Sequence, residues 1–235
     1  MREQDIIQSV APFFEEIERL GYEVEATSDF ERIMQQVPET GRRVQTPMMS
    51  LHRNDFTQET AFWLFLFKDG KVVASMGAKF EPLGRESFAS YLCRTSRTQY
   101  DRDENPIAEV AEPAAEMIGG NIVYIGELEI LREHRGNLRL LEAYMRVHQG
   151  LCAVKWQNLD WIYAIVPEEH QRFSWLYGFM VSVPGVLKWG DPIPDGRLNS
   201  HVLLATEGRF LPYVLVNASK RLKAKRLKAA AQKQE

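Results

Sequence analysis

Residues 121–145 read NIVYIGELEILREHRGNLRLLEAYM. The opening eleven residues are rich in β-branched and aliphatic side chains, and Leu128 and Ile130 alternate with Glu127 and Glu129; this predicts a long strand over 121–131. REHRGN is a charged turn with one glycine. From Leu138 the spacing of Leu138, Leu141, Met145 and Val147–His148 predicts a helix, with Gly150 weakening its end. A strand feeding a glycine-containing turn and then a helix N-terminus forms an anion site. Free backbone N–H groups point outward there, and the helix dipole favours negative charge. Arg132, Arg135 and Arg139 add cations around the same turn. Gly136 is its one glycine, so neither a G-x-G-x-x-G fingerprint nor a Walker A loop is present.

Working outward, WIYAIV at 161–166 predicts the next strand, and Pro167 with EEHQRFSWLYGF predicts a helix begun by a proline in its first turn. FMVSV and HVLLAT follow as strands, separated by the turn-rich GDPIPDG. Upstream, AFWLFLF, the D-G turn of KDGK and VVASMGAKF predict a β-hairpin. Phe62, Trp63, Phe65 and Phe67 would line both faces of its first strand. Residues 4–20 carry apolar residues at three- and four-residue spacing, an amphipathic helix that Pro12 divides in two if the proline acts as a breaker. YEVEA at 22–26 reads as a short strand. A helix from about Phe30 to Val37 follows, capped by Ser28 or Asp29. Residues 38–56 read as loop, 84–94 as a short helix, 99–110 as turn-rich, and the tail from Ser219 as helix-permissive. Strands alternating with helices, with an early hairpin, predict a single α/β domain with a mixed sheet.

The 235 residues carry a formal charge of −3, and that total conceals an asymmetry. Residues 220–235 hold seven Lys/Arg and one acid, and the rest is left with 22 bases and 31 acids. An acidic body excludes a nucleic-acid binder that uses its whole surface. Residues 1–31 hold nine acids and two bases, so attraction between the two ends is expected, within one chain or between subunits. Cys93 and Cys152 predict two free thiols. The first residues lack the apolar run of a signal peptide, and the longest apolar run is too short to span a bilayer; a cytoplasmic protein with no membrane span is expected. The histidines and cysteines show no metal-ligand spacing, so no metal is expected, and His148 with Cys152 reads as core rather than as a nucleophile pair.

The run at 121–145 resembles the central strand, pyrophosphate loop and helix of the GCN5-related N-acetyltransferases. WIYAIVPEEHQRFSWLYGF is similar to that family's next strand and helix, DGKVVASMGAKF to its hairpin, and VEATSDFERIM to its opening strand and helix. The resemblance covers roughly 22–206, leaving 1–21 as an N-terminal helical extension and 219–235 as a basic tail. It implies an acyl-CoA N-acyltransferase-like fold, a mostly antiparallel twisted sheet flanked by helices. It also implies acetyl-CoA or another acyl-CoA held along Ile130, Arg132, Arg135, Gly136, Asn137, Leu138 and Arg139. The acceptor would be the amine of a small molecule or peptide, with a homodimer left open.

In the family, a carboxylate on the central strand often takes the amine's proton. Glu127 and Glu129 are two apart on that strand, with Glu129 nearer the cofactor turn. A family tyrosine that protonates the departing thiolate is replaced by Ser174, and Tyr177 is the neighbouring alternative. Leu138 and Leu140 stand where the family has small residues. Those departures leave a second reading, a ligand-binding or structural protein of the same fold with weak or no activity. Arg42, Arg43, His52 and Arg53 lie in the loop expected to shape the acceptor pocket, where they would recognise a carboxylate or serve solubility.

Overall fold

The computed structural model describes residues 3–42, 45–195 and 197–232. Helix α1 (Glu3–Arg19) is one continuous helix through Pro12. An internal proline costs about 3 kcal/mol, but Ile6, Val10, Phe13 and Ile17 bury a full apolar stripe that offsets it. Strand β1 (Glu23–Thr27) leads to α2 (Phe30–Gln36), whose cap is Asp29, its side chain accepting from the Arg32 N–H at 3.1 Å. Two single 3₁₀ turns, Val37–Thr40 and Pro47–Met49, punctuate the loop that follows.

The predicted hairpin forms as β2 (Ala61–Lys68) and β3 (Lys71–Pro82). Asp69 and Gly70 both take positive φ (51° and 74°), the primed two-residue turn that a D-G pair specifies. Helix α3 (Phe88–Gln99) begins later than the sequence suggests, because Ser87 caps it through the Ser90 N–H at 3.2 Å. Strand β4 (Ile107–Val110), helix α4 (Glu112–Met117) and β5 (Asn121–Ile130) come next. Then follow α5 (Leu138–Lys155), β6 (Trp161–Pro167), α6 (Ser174–Tyr177), β7 (Val181–Pro184), β8 (Leu187–Trp189), β9 (His201–Glu207) and α7 (Leu211–Ala231). After β6 the chain makes a 3₁₀ turn over Glu168–Phe173 and four α-helical residues, not the longer helix predicted from Pro167. Gly178 ends it in the left-handed region at φ 84°. Helix α5 runs past Gly150, where a Cβ would come within 2.2 Å of Val10. The glycine is therefore a close contact between α1 and α5, rather than a helix end.

Seven strands form one sheet in the order β1-β2-β3-β5-β6-β9-β7, with β4 and β8 paired separately. All neighbours in the large sheet are antiparallel except β5 and β6. The result is a mixed, mostly antiparallel sheet flanked by helices. One face packs Phe62, Leu64, Met76, Val123 and Ile125 against α1, α5 and α7. The other packs Trp63, Phe65, Tyr124 and Tyr163 against α3 and the smaller elements. The aromatics of β2 thus divide between two cores, as their alternation predicts.

Candidate active site

The parallel pair β5–β6 holds for three residue pairs, Ile122 with Trp161, Val123 with Ile162 and Tyr124 with Tyr163. Beyond them β5 continues to Ile130 along β3 while β6 continues to Pro167 along β9. The two strands part, opening a wedge inside the sheet whose edges carry backbone N–H and C=O groups that make no β5–β6 bonds.

At the mouth of the wedge β5 bulges. Ser75 pairs with Glu129 and Gly77 with Gly126, so β5 inserts one extra residue, and Glu127 takes φ 61°. A left-handed non-glycine residue costs about 1–2 kcal/mol, and such strain collects at functional sites. Opposite the bulge, Gly77 lies under Met49 and Trp63, and Gly126 lies under the Tyr124 ring, with added Cβ atoms meeting them at 2.5–2.8 Å. Bare backbone is what lets these side chains lie flat over the strand pair.

The bulge resets the alternation. Leu128 and Ile130 pack on the α5 side, while Glu127 and Glu129 come together through one cation. Arg42 lies 3.4 Å from Glu127 Oε2 and 3.4 Å from Glu129 Oε2. The Glu127 side chain is fully buried. Its Oε1 accepts from the Thr46 N–H at 3.0 Å and from the Thr46 hydroxyl, whereas its Oε2 makes no hydrogen bond. Glu129 is partly exposed, and its Oε1 accepts from Arg135 Nη2 at 2.7 Å. Arg42 thus bridges the two carboxylates.

Arg42, read as a solvating or substrate-binding residue, is therefore committed to the two glutamates. Arg43 lies outside the described residues. Arg135, read as a phosphate ligand, clips the turn closed: its Nε donates to the Ile130 carbonyl at 2.7 Å and its Nη2 to Glu129.

The turn itself passes through Arg132–His134 and Gly136, which takes φ 88° with open space around it. His134 Nδ1 is 3.0 Å from the Tyr22 hydroxyl, so this ring anchors the turn to the segment after α1. Asn137 caps α5, its side chain accepting from the Leu140 N–H at 3.1 Å. The N–H groups of Gly136, Asn137, Leu138 and Arg139 make no hydrogen bond among the described residues. Leu140 is 1% exposed and points into the core, and Leu138 is 49% exposed. Nothing lies within 4 Å of a Cβ added at Gly136, and the open N–H groups fit an anionic group such as a pyrophosphate. Arg139 turns away to Glu16 on α1, while Arg132 is exposed.

On the β6 side, Tyr177 is buried against the first core, and its hydroxyl lies 3.2 Å from His170 Nδ1. Burial pushes its pKa up. Gly178 beside it is held by α5: Arg146 Nη2 donates to the Trp175 carbonyl at 3.2 Å and Gln149 Nε2 to the Tyr177 carbonyl at 2.9 Å. His148 and Cys152 are wholly buried. Burial pushes the His148 pKa down to about 3 and the thiol's well up, so they are an inert neutral pair.

The chain is similar to several solved structures. Escherichia coli ElaA matches at 14% identity and TM-score 0.44, over 79% of this chain and 99% of that one. An acyl-CoA N-acyltransferase from Pseudomonas aeruginosa matches at 14% identity and TM-score 0.41, over 78% and 97%. Arabidopsis thaliana NAA60, solved in complex with acetyl-CoA, matches at 13% identity and TM-score 0.42, over 79% and 98%. No family model and no curated protein matches the sequence.

Proposed function

We propose that this protein is an acyl-CoA-dependent N-acyltransferase of the GCN5-related type, passing an acyl group, acetyl in the first instance, to the amine of a small molecule or peptide. The observation that supports it is the junction where β5 leaves β6: the wedge, the bulged Glu127 and the open N–H groups at the start of α5 lie within fifteen residues of one another. When bound, an acyl-coenzyme A supplies the thioester whose acyl group is transferred. Gly136, Asn137, Leu138 and Arg139 offer backbone N–H groups to its pyrophosphate, with Ile130 at the wedge and Arg132 and Arg135 contributing charge.

Glu129 Oε2 accepts the proton of the incoming amine, directly or through a water, since the amine must be neutral to attack. Glu127 accepts from Thr46 and shares Arg42 with Glu129. Tyr177 Oη, a neutral phenol whose pKa burial raises further, is the donor on the β6 side. A binding protein without turnover is the second reading. It is favoured by the ion pairing of Glu129 with both Arg135 and Arg42, which occupies the carboxylate that would take the proton.

Acetyl-coenzyme A should raise the melting temperature, and R132E/R135E should remove most of that shift. No shift with acetyl-, longer acyl- or free coenzyme A at millimolar concentration excludes the enzyme. E129Q should lower kcat about 100-fold, the usual size of a lost general base, while leaving the coenzyme shift in place. Full turnover in both E129Q and E127Q would exclude a required base at either position, and binding without turnover in the wild type would establish the second reading.

A further inference from the structure

Away from the wedge, on the α3 side of the sheet, a cavity of about 320 Å³ opens between the second half of β3, the C-terminal half of α3 and the loop at 53–56. Lys79 of β3 lines it. This lysine is 4% exposed and makes no ion pair or hydrogen bond among the described residues. Its Nζ stands over the face of the Tyr91 ring, 5.7 Å from the centroid. A buried ammonium is almost always paired, because desolvating an unpaired charge costs several kcal/mol. Tyr91 alone does not replace the lost hydration.

The groups facing Lys79 come from three directions. Glu81 acts on it from its own strand at longer range, and Arg94 from α3 repels it. Arg53 and Asp55 come from the loop. The two arginines are already anchored. Arg94 is bound bidentately to Glu86 at 2.8 and 3.0 Å, and Arg53 donates to the Gln99 carbonyl. Glu86 neutralises Arg94, which leaves Lys79 and Arg53 facing Glu81 and Asp55 across a space the size of a small-molecule site, with no carboxylate bonded to Lys79 among the described residues.

We propose that this cavity binds a small carboxylic acid, whose carboxylate is the missing partner of the Lys79 ammonium, with Arg53 and Arg94 at the rim. The site is independent of the acyl-transfer reading. Burial of Lys79 lowers its pKa to about 8, against a smaller opposing effect of Glu81. Binding must therefore weaken as pH rises through that value.

Succinate titrated into the full chain and followed by calorimetry tests this. Binding at pH 7 that falls at least tenfold above the Lys79 pKa, and is absent in K79M, supports the proposal. Methionine keeps the stem's shape without the charge, so K79M should fold. If it does not, the pH dependence of the wild type decides. Absence of succinate binding at millimolar concentration, or equal binding by K79M, overturns the site. Inorganic phosphate binding in its place, dependent on Lys79, overturns the carboxylate assignment.

Discussion

Lys79 shows how one residue can carry a stability cost that points to use. Its folded pKa of about 8 lies below the ordinary 10.5. Between those values the unfolded chain binds more protons than the folded one, so this residue's contribution to stability rises with pH across that window. Below pH 8 the full cost applies, on the order of 3 kcal/mol from the size of the shift. K79M should accordingly be more stable than the wild type at pH 7 by about 2–3 kcal/mol, with the gap closing as pH approaches 10. Urea unfolding of both proteins across pH 6–10 would check this, and a gap that does not change with pH would contradict it. The same scale governs Glu127. Its strained φ is accompanied by bonds from Thr46 and an ion pair with Arg42, so T46A should free the Glu127 carboxylate and lower activity while leaving the sheet intact.

At the scale of elements, the contact between α1 and α5 depends on Gly150. A Cβ there meets Val10 at 2.2 and 3.1 Å, so G150A should destabilise by about 1–3 kcal/mol despite alanine's better helix propensity. V10A in the same chain should recover part of that loss, and a double-mutant cycle measured by thermal unfolding gives the coupling. Additive effects would show that the two helices do not meet at this position. Elsewhere, short-range chemistry set the element ends. Asp29 and Ser87 cap their helices, and Asp69–Gly70 makes the hairpin turn. The hairpin turn was legible, and the α2 cap was narrowed to Ser28 or Asp29, because each depends on neighbouring residues. Strands β4 and β8 were not. They are four and three residues long, and only their mutual pairing makes them strands.

Over the whole molecule, the two charged ends meet. Arg226 of α7 donates to Glu15 and Glu16 at 2.8–2.9 Å and to the Pro12 carbonyl at 2.8 Å. The buried Glu16 also accepts from Arg139 at the start of α5. Here the attraction expected from the charge imbalance is intramolecular, and it gathers α1, α5 and α7 onto one face of the sheet. R226A leaves Glu16 with fewer donors in a buried position and should cost about 1–3 kcal/mol. Thermal melts should show that loss shrinking in high salt only for the exposed Glu15 arm. A melting temperature unchanged by R226A would show that α7 is held by its apolar contacts alone. No helix among the described residues is long and apolar enough to cross a membrane.

The sequence by itself determined the strand at 121–131, the turn and helix after it, the hairpin, and the placing of β2 aromatics on two faces. Each follows from periodicity and turn chemistry that act over a few residues. It also placed Glu127, Glu129 and Arg135 at one end of that strand. Only the tertiary structure decided what those residues do. The one-residue bulge, set by pairing with β3, brings both glutamates to Arg42, from a loop 85 positions upstream of Glu127. The parting of β5 from β6 depends on which neighbours each strand keeps. Lys79, one polar residue within the run VVASMGAKF, gave no sign of being buried without a partner. The charge balance of a cavity is a sum over segments far apart in the chain, and local pattern does not contain it.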